Sequence, residues 1–401
     1  MKTSMSWQLL TETLAWSGSL MRLSRKIPGL LLLATAVLLA GANVHAQAPA
    51  ASGSLASWGA YYGAPVWEPP TGNNFVAISA GQSHSLALRG DGSLVGWGSN
   101  FAGVSNVPAG NDFVAIAGGA TFSLGLRADG SLIGWGVNEY GQTEVAPGNG
   151  YVAIAAGWYH GLALHADGSL AGWGWNGYGA TNVPAGNSFV AISAGQFHSL
   201  ALRADGSIVS WGYYLADVPA GTDFVAIAAG EYFSLALRAD GSLVSWGDNF
   251  HGQTDVPAGT FVAIAAGDRH ALAMRADGSV VAWGDNSFGQ TDVPAGTFVA
   301  IAAGGSHSLA IGTLPSELIV SLIVQVFNLN LQHGIENSLD SKLDTAFAAL
   351  DDASDNNDIA AVNALTAFIN SVQAQSGQKI PTDDADALIA AALEIIELLL
   401  E

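Results

Sequence analysis

The sequence contains no cysteine among its 401 residues. For an exported chain this excludes a disulfide framework, thiolate metal sites and cysteine nucleophiles together. Positive charge is scarce as well: 12 Lys and Arg stand against 33 Asp and Glu, for a formal net charge of -21. Four of those basic residues, Lys2, Arg22, Arg25 and Lys26, lie close to the N-terminus, which leaves the remainder more acidic still. Such a surface repels phosphate backbones and anionic lipid, and no basic stripe offsets it, so nucleic acid is excluded as a partner. Long apolar runs are missing too. The Leu30–Ala40 run falls short of the roughly 20 residues that a membrane-spanning helix needs.

That run instead fits a secretory signal. Met21 is followed by the basic Arg22, Arg25 and Lys26, then by the apolar segment, then by Val44-His45-Ala46 as a small-residue cleavage site. The pattern predicts cleavage after Ala46, a secreted or periplasmic protein, and no membrane insertion after the signal is removed. Residues 1–46 are therefore read as presequence and signal peptide.

What fills most of the chain is a repeat. Phe-Val-Ala-Ile, followed by Ala-Gly, recurs from Phe75, Phe113, Tyr151, Phe189, Phe224, Phe261 and Phe298 with small variations, a period of 35 to 38 residues. A period of this length marks an array of one supersecondary unit. Each unit reads as three short strands of alternating large and small apolar residues. Asp-Gly pairs such as Asp91-Gly92 and Asp277-Gly278 mark the hairpin between the second and third strands. After Trp-Gly comes a loop such as Asp285–Gln290, and its Gln-Thr-Asp-Val stretch is a candidate short outer strand.

The ends of the array indicate a ring. The last unit stops at Ile311 without its Trp-Gly half, and that half occurs near the start as Gly53-Ser54-Leu55-Ala56-Ser57-Trp58-Gly59. Complementary half-units seal the final blade of a closed propeller and protect its sheet edges. The expected fold is mainly β: a seven-bladed β-propeller over residues 47–314, closed by its N-terminal strand, followed by a small α-helical bundle over 315–401. The repeated phrase Ala-Gly-x-x-His-Ser-Leu-Ala-Leu, with Asp-Gly-Ser-x-x-x-Trp-Gly after it, resembles the repeat of the regulator of chromosome condensation family. That family forms seven-bladed propellers, and the likeness is to its compact bacterial members, which include a secreted inhibitor of β-lactamases. The resemblance implies a protein-binding scaffold. The nucleotide-exchange role of nuclear members does not carry over to an acidic chain with a secretion signal.

Chemistry-bearing residues sit at framework positions. His84, His160, His198, His270 and His307 are equivalent, and Phe122 and Phe233 replace them in two units. A position that accepts Phe is not a ligand position, so these histidines read as structural and no metal is expected. No Gly-x-Ser-x-Gly elbow, His-Glu-x-x-His helix or isolated acid pair suggests catalysis. No catalytic residue and no cofactor is expected.

Strand direction places the two variable windows, after Ala-Gly and after Trp-Gly, on one face of the disc. Aromatic residues concentrate there over adjacent blades: Trp158, Tyr159, Trp175 and Tyr178 in blade three, Phe197, Tyr213 and Tyr214 in blade four, Tyr232 and Phe250 in blade five. Tyr61, Tyr62, Trp67, Phe101, Tyr140 and Phe288 extend the rim. Exposed Trp and Tyr anchor protein interfaces, and the expected partner is an extracellular or envelope protein. Rings also stack on sugars, which makes a glycan the alternative ligand. The framework tryptophans, Trp58, Trp97, Trp135, Trp173, Trp211, Trp246 and Trp283, read as packing between blades.

After Pro315 the apolar period becomes helical. Glu317–Phe327 reads as buried on nearly all sides. Ile335, Leu339, Leu343, Phe347 and Leu350 form one stripe, and Ile359, Val362, Leu365, Phe368, Ile369 and Val372 another. Thr382 is the expected N-cap of a final helix, giving four amphipathic helices with short loops. Gly334-Ile335-Glu336-Asn337-Ser338-Leu339 and Ala367-Phe368-Ile369-Asn370-Ser371-Val372 resemble the accessory helical module called FIMAH, which implies an extracellular setting and no particular chemistry.

Overall fold

The computed structural model describes residues 53–61, 64–65, 67–213, 218–313, 315–329, 331, 333–351 and 357–400. The expected signal peptide lies outside the described residues.

Seven antiparallel sheets follow one another along the chain. Blade one is built from Phe75–Ala80, His84–Arg89 and Leu94–Gly98. Blade two uses Phe113–Gly118, Phe122–Arg127 and Leu132–Gly136, and blade three Tyr151–Ala156, His160–His165 and Leu170–Gly174. Blade four uses Phe189–Ala194, His198–Arg203 and Ile208–Gly212, and blade five Phe224–Ala229, Phe233–Arg238 and Leu243–Gly247. Blade six comprises Ala263–Ala266, His270–Met274 and Val280–Gly284. Blade seven takes Phe298–Ala303 and His307–Gly312 from the end of the array and Leu55–Tyr61 from its beginning.

Leu55 pairs with Ile311 and Gly59 with His307, so the N-terminal strand supplies the missing third strand as expected. The first strands of successive blades touch one another around a complete circle, blade seven against blade one included. The ring is closed, with no unpaired junction to open.

The candidate outer strand is a correction. Gln253 and Thr254, and their equivalents Gln290 and Thr291, lie in turns, Asp255 and Asp292 follow in irregular backbone, and every sheet among the described residues has three strands except that of blade seven. There the two-residue strand Ala64–Pro65 pairs with Ala60 and Tyr61. The turns arise because Asn249 and Asn286 bind their own loop: each Oδ1 accepts from the backbone N–H of the threonine five residues on. That side-chain competitor displaces a strand ladder.

Burial explains the strand pattern. The second strand of each blade is sandwiched between its neighbours and is buried almost throughout, as in His84–Leu88. The aromatic residue that opens each unit is buried against the next or preceding blade, with Phe75 fully enclosed beside Ala87 and Ile311. The hairpin glycines, such as Gly92 at φ 82°, adopt the left-handed conformation that the Asp-Gly pair predicts. At its other end each inner strand closes on a glycine that leaves no room for a Cβ. One on Gly81 would collide with the His84 ring and the Gly119 carbonyl of the next blade.

Four helices follow: α1 (Pro315–Asn328), α2 (His333–Asp351), α3 (Asn357–Gln373) and α4 (Thr382–Leu400). Ile319, Leu322, Leu339, Leu343, Leu365, Phe368, Leu388 and Ile395 share one core. Ile359, assigned inward by periodicity, is 64% exposed, because it stands in the first turn of α3 before the bundle closes around that helix. Ala385 N–H donates to Pro381 O, so α4 opens one residue earlier than a Thr382 cap requires.

Candidate functional site

The two variable windows do share a face. In every blade the residue after Trp-Gly donates its N–H to the carbonyl of the second residue after Ala-Gly. Ser99 bonds Ser83 at 2.9 Å, Trp175 bonds Tyr159 at 2.9 Å, and Ala60 bonds Ser306 at 3.1 Å in the composite blade. The side chains of both windows are thereby held side by side on rigid strand ends.

Seven of the nine aromatic residues assigned to this face form one connected cluster, in which Phe197 is the hub. Its ring lies 5.1 Å from Trp175, 5.4 Å from Tyr178 and 6.3 Å from Tyr159, centre to centre. Trp158, Tyr213 and Tyr232 surround it at 6.4 to 6.5 Å. Tyr140 of the preceding blade joins edge-on to Tyr159 at 5.5 Å, extending the cluster to blade two. Tyr178 and Tyr213 lie 4.4 Å apart and are 49% and 41% exposed, so they form the open edge of the surface. Edge-on and offset contacts of this kind fix ring orientation, each worth about 0.5–1.5 kcal/mol beyond burial.

The other two assigned residues are Phe250 and Tyr214. Phe250, at 87% exposure, meets the His251 ring at 5.3 Å and makes no ring contact with the cluster among the described residues. Tyr214 lies outside the described residues, as does Tyr62. Trp158 belongs to the cluster yet also serves the propeller axis. Its indole Nε1 donates to Asp268 Oδ1 at 3.2 Å, joining blade three to blade six across the channel mouth. The mouth itself is a narrow space of about 70 Å³, rimmed by the Ala-Gly corners and by Gln82, Gln196 and Asp268.

Charged residues that sequence reasoning passed over lie beside the aromatic cluster. Arg269 Nε donates to Glu231 Oε2 at 3.0 Å, and the Glu231 side chain is buried. Asp268 keeps some surface at the channel mouth, yet the protein around its carboxyl strips away hydration and, helped by the nearby Glu231 charge, pushes its pKa up to about 7. The available signal was positional: Glu231, Asp268 and Arg269 occupy the same variable window as Trp158 and Tyr159.

The histidines are structural. His84 Nε2 lies 2.9 Å from Ser123 Oγ of the next blade, and His160, His198, His270 and His307 repeat the bond to Ser199, Ser234, Ser308 and Ser85. Ser123, Ser199 and Ser308 donate onward to the carbonyls of Val104, Ala180 and Gln290, so they accept from an Nε2–H of a neutral imidazole. Burial lowers the pKa of His84, His160 and His270 to about 3 and that of His198 and His307 to about 4. Among the described residues no group of three or more His, Asp or Glu side chains is placed to hold a metal ion.

The sequence profile of the regulator of chromosome condensation (RCC1) repeat matches residues 75–104, 113–142, 151–180, 189–213, 224–253 and 261–290. Six units of the propeller are RCC1 repeats. Among solved structures, the RCC1-repeat propeller is similar to Prp20p from Saccharomyces cerevisiae, with a TM-score of 0.57 and 18% identity over 69% of this chain and 94% of that one. Human WBSCR16 gives a TM-score of 0.54 at 16% identity, covering 65% of this chain and 99% of that one. The ectodomain of the Arabidopsis thaliana receptor kinase ACR4 gives 0.52 at 25% identity, covering 60% and 93% respectively. No curated protein matches the chain by sequence. Among the described residues no helix is long and apolar enough to cross a membrane.

Proposed function

We propose that this chain is an exported, non-catalytic scaffold that binds another protein through the aromatic face of its propeller. The observation that carries the reading is the connected ring cluster around Phe197, rigidly mounted and open to solvent along Tyr178 and Tyr213. Large preordered rings lose little side-chain entropy on binding and bury much area, which makes them interface anchors. The RCC1-repeat propeller is a scaffold type suited to such work, and yeast Prp20p, which shares the fold, has binding properties toward Gsp1p and histones. Export rests on the basic, apolar and small-residue order of residues 21–46. An extracellular or envelope protein is then the expected partner. We divide the chain after residue 314 into propeller and helical module, and the FIMAH-like phrases of that module agree with an extracellular setting.

The alternative is a glycan ligand. Sugar-binding pockets that arise from a repeat recur in equivalent form from blade to blade. The ring cluster is confined to adjacent blades and irregular, which favours a protein surface.

The test is affinity capture from secreted and envelope fractions with residues 47–401 as bait and the Tyr178→Ala, Tyr213→Ala double variant as control. These positions are chosen because Trp158 also holds Asp268. Retention of a protein by the native bait and its loss from a control of unchanged melting temperature supports the reading. Equal retention by both baits, or retention of polysaccharide alone, overturns it.

A further inference from the structure

Between blades five and six the same face opens into a recess of about 500 Å³. That is far more than a water needs and falls within the range of pockets that enclose organic ligands. Three phenyl or phenol rings line it, Tyr213, Tyr232 and Phe250, together with the imidazole of His251 and the carboxylates of Glu231, Asp248 and Asp268. We propose that this recess is a binding site for an alkylammonium group, such as the side chain of a lysine.

The lining selects for charge and for organic character at once. Aromatic faces carry negative quadrupole potential and attract cations within about 6 Å of the ring centre. The single guanidinium in the recess, that of Arg269, is held by Glu231 at 3.0 Å. Gln253 Nε2 donates to Asp248 Oδ2 at 2.8 Å, which orients that carboxylate without neutralising it. Among the described residues no ion pair engages Asp248 or Asp268. An anion would therefore meet net repulsion. A bare metal ion would lack a converging donor set, since no such group occurs among the described residues. A neutral apolar group would leave carboxylates desolvated without a partner, at a cost. An ammonium on an alkyl stem answers each surface: the stem lies along the rings and the charge faces the carboxylates. The position also matters. Tyr213 and Tyr232 belong both to the recess and to the ring cluster, so a chain lying over the cluster carries a basic residue directly into the recess.

The inference rests on the scaffold reading only in naming what the partner would present, a lysine-bearing surface. Its test needs no partner. The full chain is titrated calorimetrically at pH 7.5 and low salt with Nα-acetyl-lysine methylamide, and separately with its neutral counterpart Nα-acetyl-norleucine methylamide. The expected result is saturable one-to-one binding of the lysine probe and weaker binding of the neutral one. Phe250→Ala and Asp248→Asn should each weaken the lysine probe by roughly three- to tenfold without lowering the melting temperature. Glu139→Gln, which removes an exposed carboxylate elsewhere on the disc, should leave it unchanged. Equal affinity for both probes, or an equal loss in Glu139→Gln and Asp248→Asn, overturns the proposal in favour of apolar packing or a diffuse acidic field. Absence of lysine-probe binding overturns the recess and leaves any Tyr178-dependent capture standing. Lysine-probe binding with the expected losses supports the recess even where capture fails, and that failure then counts against the scaffold reading alone.

Discussion

Nε2 of His84 in blade one donates to Oγ of Ser123 in blade two, at 2.9 Å, and the bond recurs wherever a blade carries His at this position. Phe122 and Phe233 take the place of that histidine in blades two and five. The residues that face them in the next blade are Gly161 and Ala271, which have no hydroxyl to satisfy. Each junction is thus either a hydrogen-bonded His–Ser pair or an apolar Phe–Gly or Phe–Ala pair, never a mixture. The Ser and its cross-strand neighbour Trp form a unit: Ser123 pairs with Trp135, and both donate to the Val104 carbonyl of the preceding blade, at 3.1 and 2.9 Å.

The pairing predicts strong coupling. His84→Phe alone should leave Ser123 without its incoming donor and press a ring against a hydroxyl. Ser123→Ala alone strands the buried Nε2–H, at a cost on the order of 1–3 kcal/mol. The double variant reproduces the Phe233–Ala271 junction, so it should recover at least about 1 kcal/mol relative to the sum of the singles. Urea denaturation of the four proteins measures this. Additive losses would show that the two junction types are not interchangeable modules.

Much of this was legible in the sequence. The repeat phrases located all seven blades, and the split of Trp58 from Ile311 gave the closure that the Leu55–Ile311 pairing realises. Strand direction placed the two variable windows on one face, and the common residue types picked out most of the ring cluster. The hidden part is what depends on reach across the ring. Trp158 and Asp268 are 110 residues and three blades apart, and no local pattern connects them. Phe250 occupies the same repeat window as Tyr178 and Tyr213, yet only the geometry of its loop turns it toward His251 and the recess. The His–Ser pairing did leave a trace, because Gly161 and Ala271 follow the two Phe substitutions by one blade. Reading it required knowing that neighbouring blades meet at those positions.

The buried histidines predict acid sensitivity, and the sign is fixed by where the protons bind. Burial lowers the five folded-state values to about 3 or 4, below the ordinary value of 6.5. The unfolded chain then binds more protons than the folded one between those limits. Stability is fully present above about pH 6.5 and falls as pH drops toward 4, with each histidine adding about 1.4 kcal/mol per pH unit in the steep part. Melting temperature followed from pH 8 to 4 should decline mainly below pH 6.5. Replacing His198 and Ser234 with Phe and Ala should reduce the fitted proton uptake on unfolding by close to one. An unchanged uptake would mean that His198 does not titrate on unfolding.

Closure predicts that the N-terminal strand is structural. Trp58 Nε1 donates to Gln290 O at 3.0 Å, and its ring packs with Phe298, Leu272 and Ala310. Trp58→Ala should cost about 3–5 kcal/mol, as expected for a core aromatic. Trp58→Phe should cost less, because it retains most of the buried area while Ser308 still donates to Gln290 O. Chemical denaturation midpoints of the two variants check the order. A loss from Trp58→Ala under about 1 kcal/mol would mean that the ring holds without its closing strand.

The Trp158–Asp268 link predicts an opposite pH dependence at one site. The Asp268 carboxyl is raised to about 7 by desolvation first and by the Glu231 charge second, while the indole N–H opposes the rise. A carboxyl whose folded value exceeds its unfolded one binds its proton more tightly when folded. Its contribution to stability is therefore largest below about pH 4 and is lost as pH rises toward 7. Asp268→Asn keeps an acceptor for the Trp158 indole and removes the charge. It should stabilise the chain at pH 8, by on the order of 1–3 kcal/mol, and bring no gain at pH 4. Trp158→Phe removes the donor instead, and should destabilise at pH 8 more than at pH 4, because the ionised carboxylate depends on that hydrogen bond most. Stability curves for the two variants at both pH values separate the contributions. If Asp268→Asn lowered stability at pH 8, the carboxylate would be stabilising as a charge, and a cation held beside it in the native protein would be the physical reason.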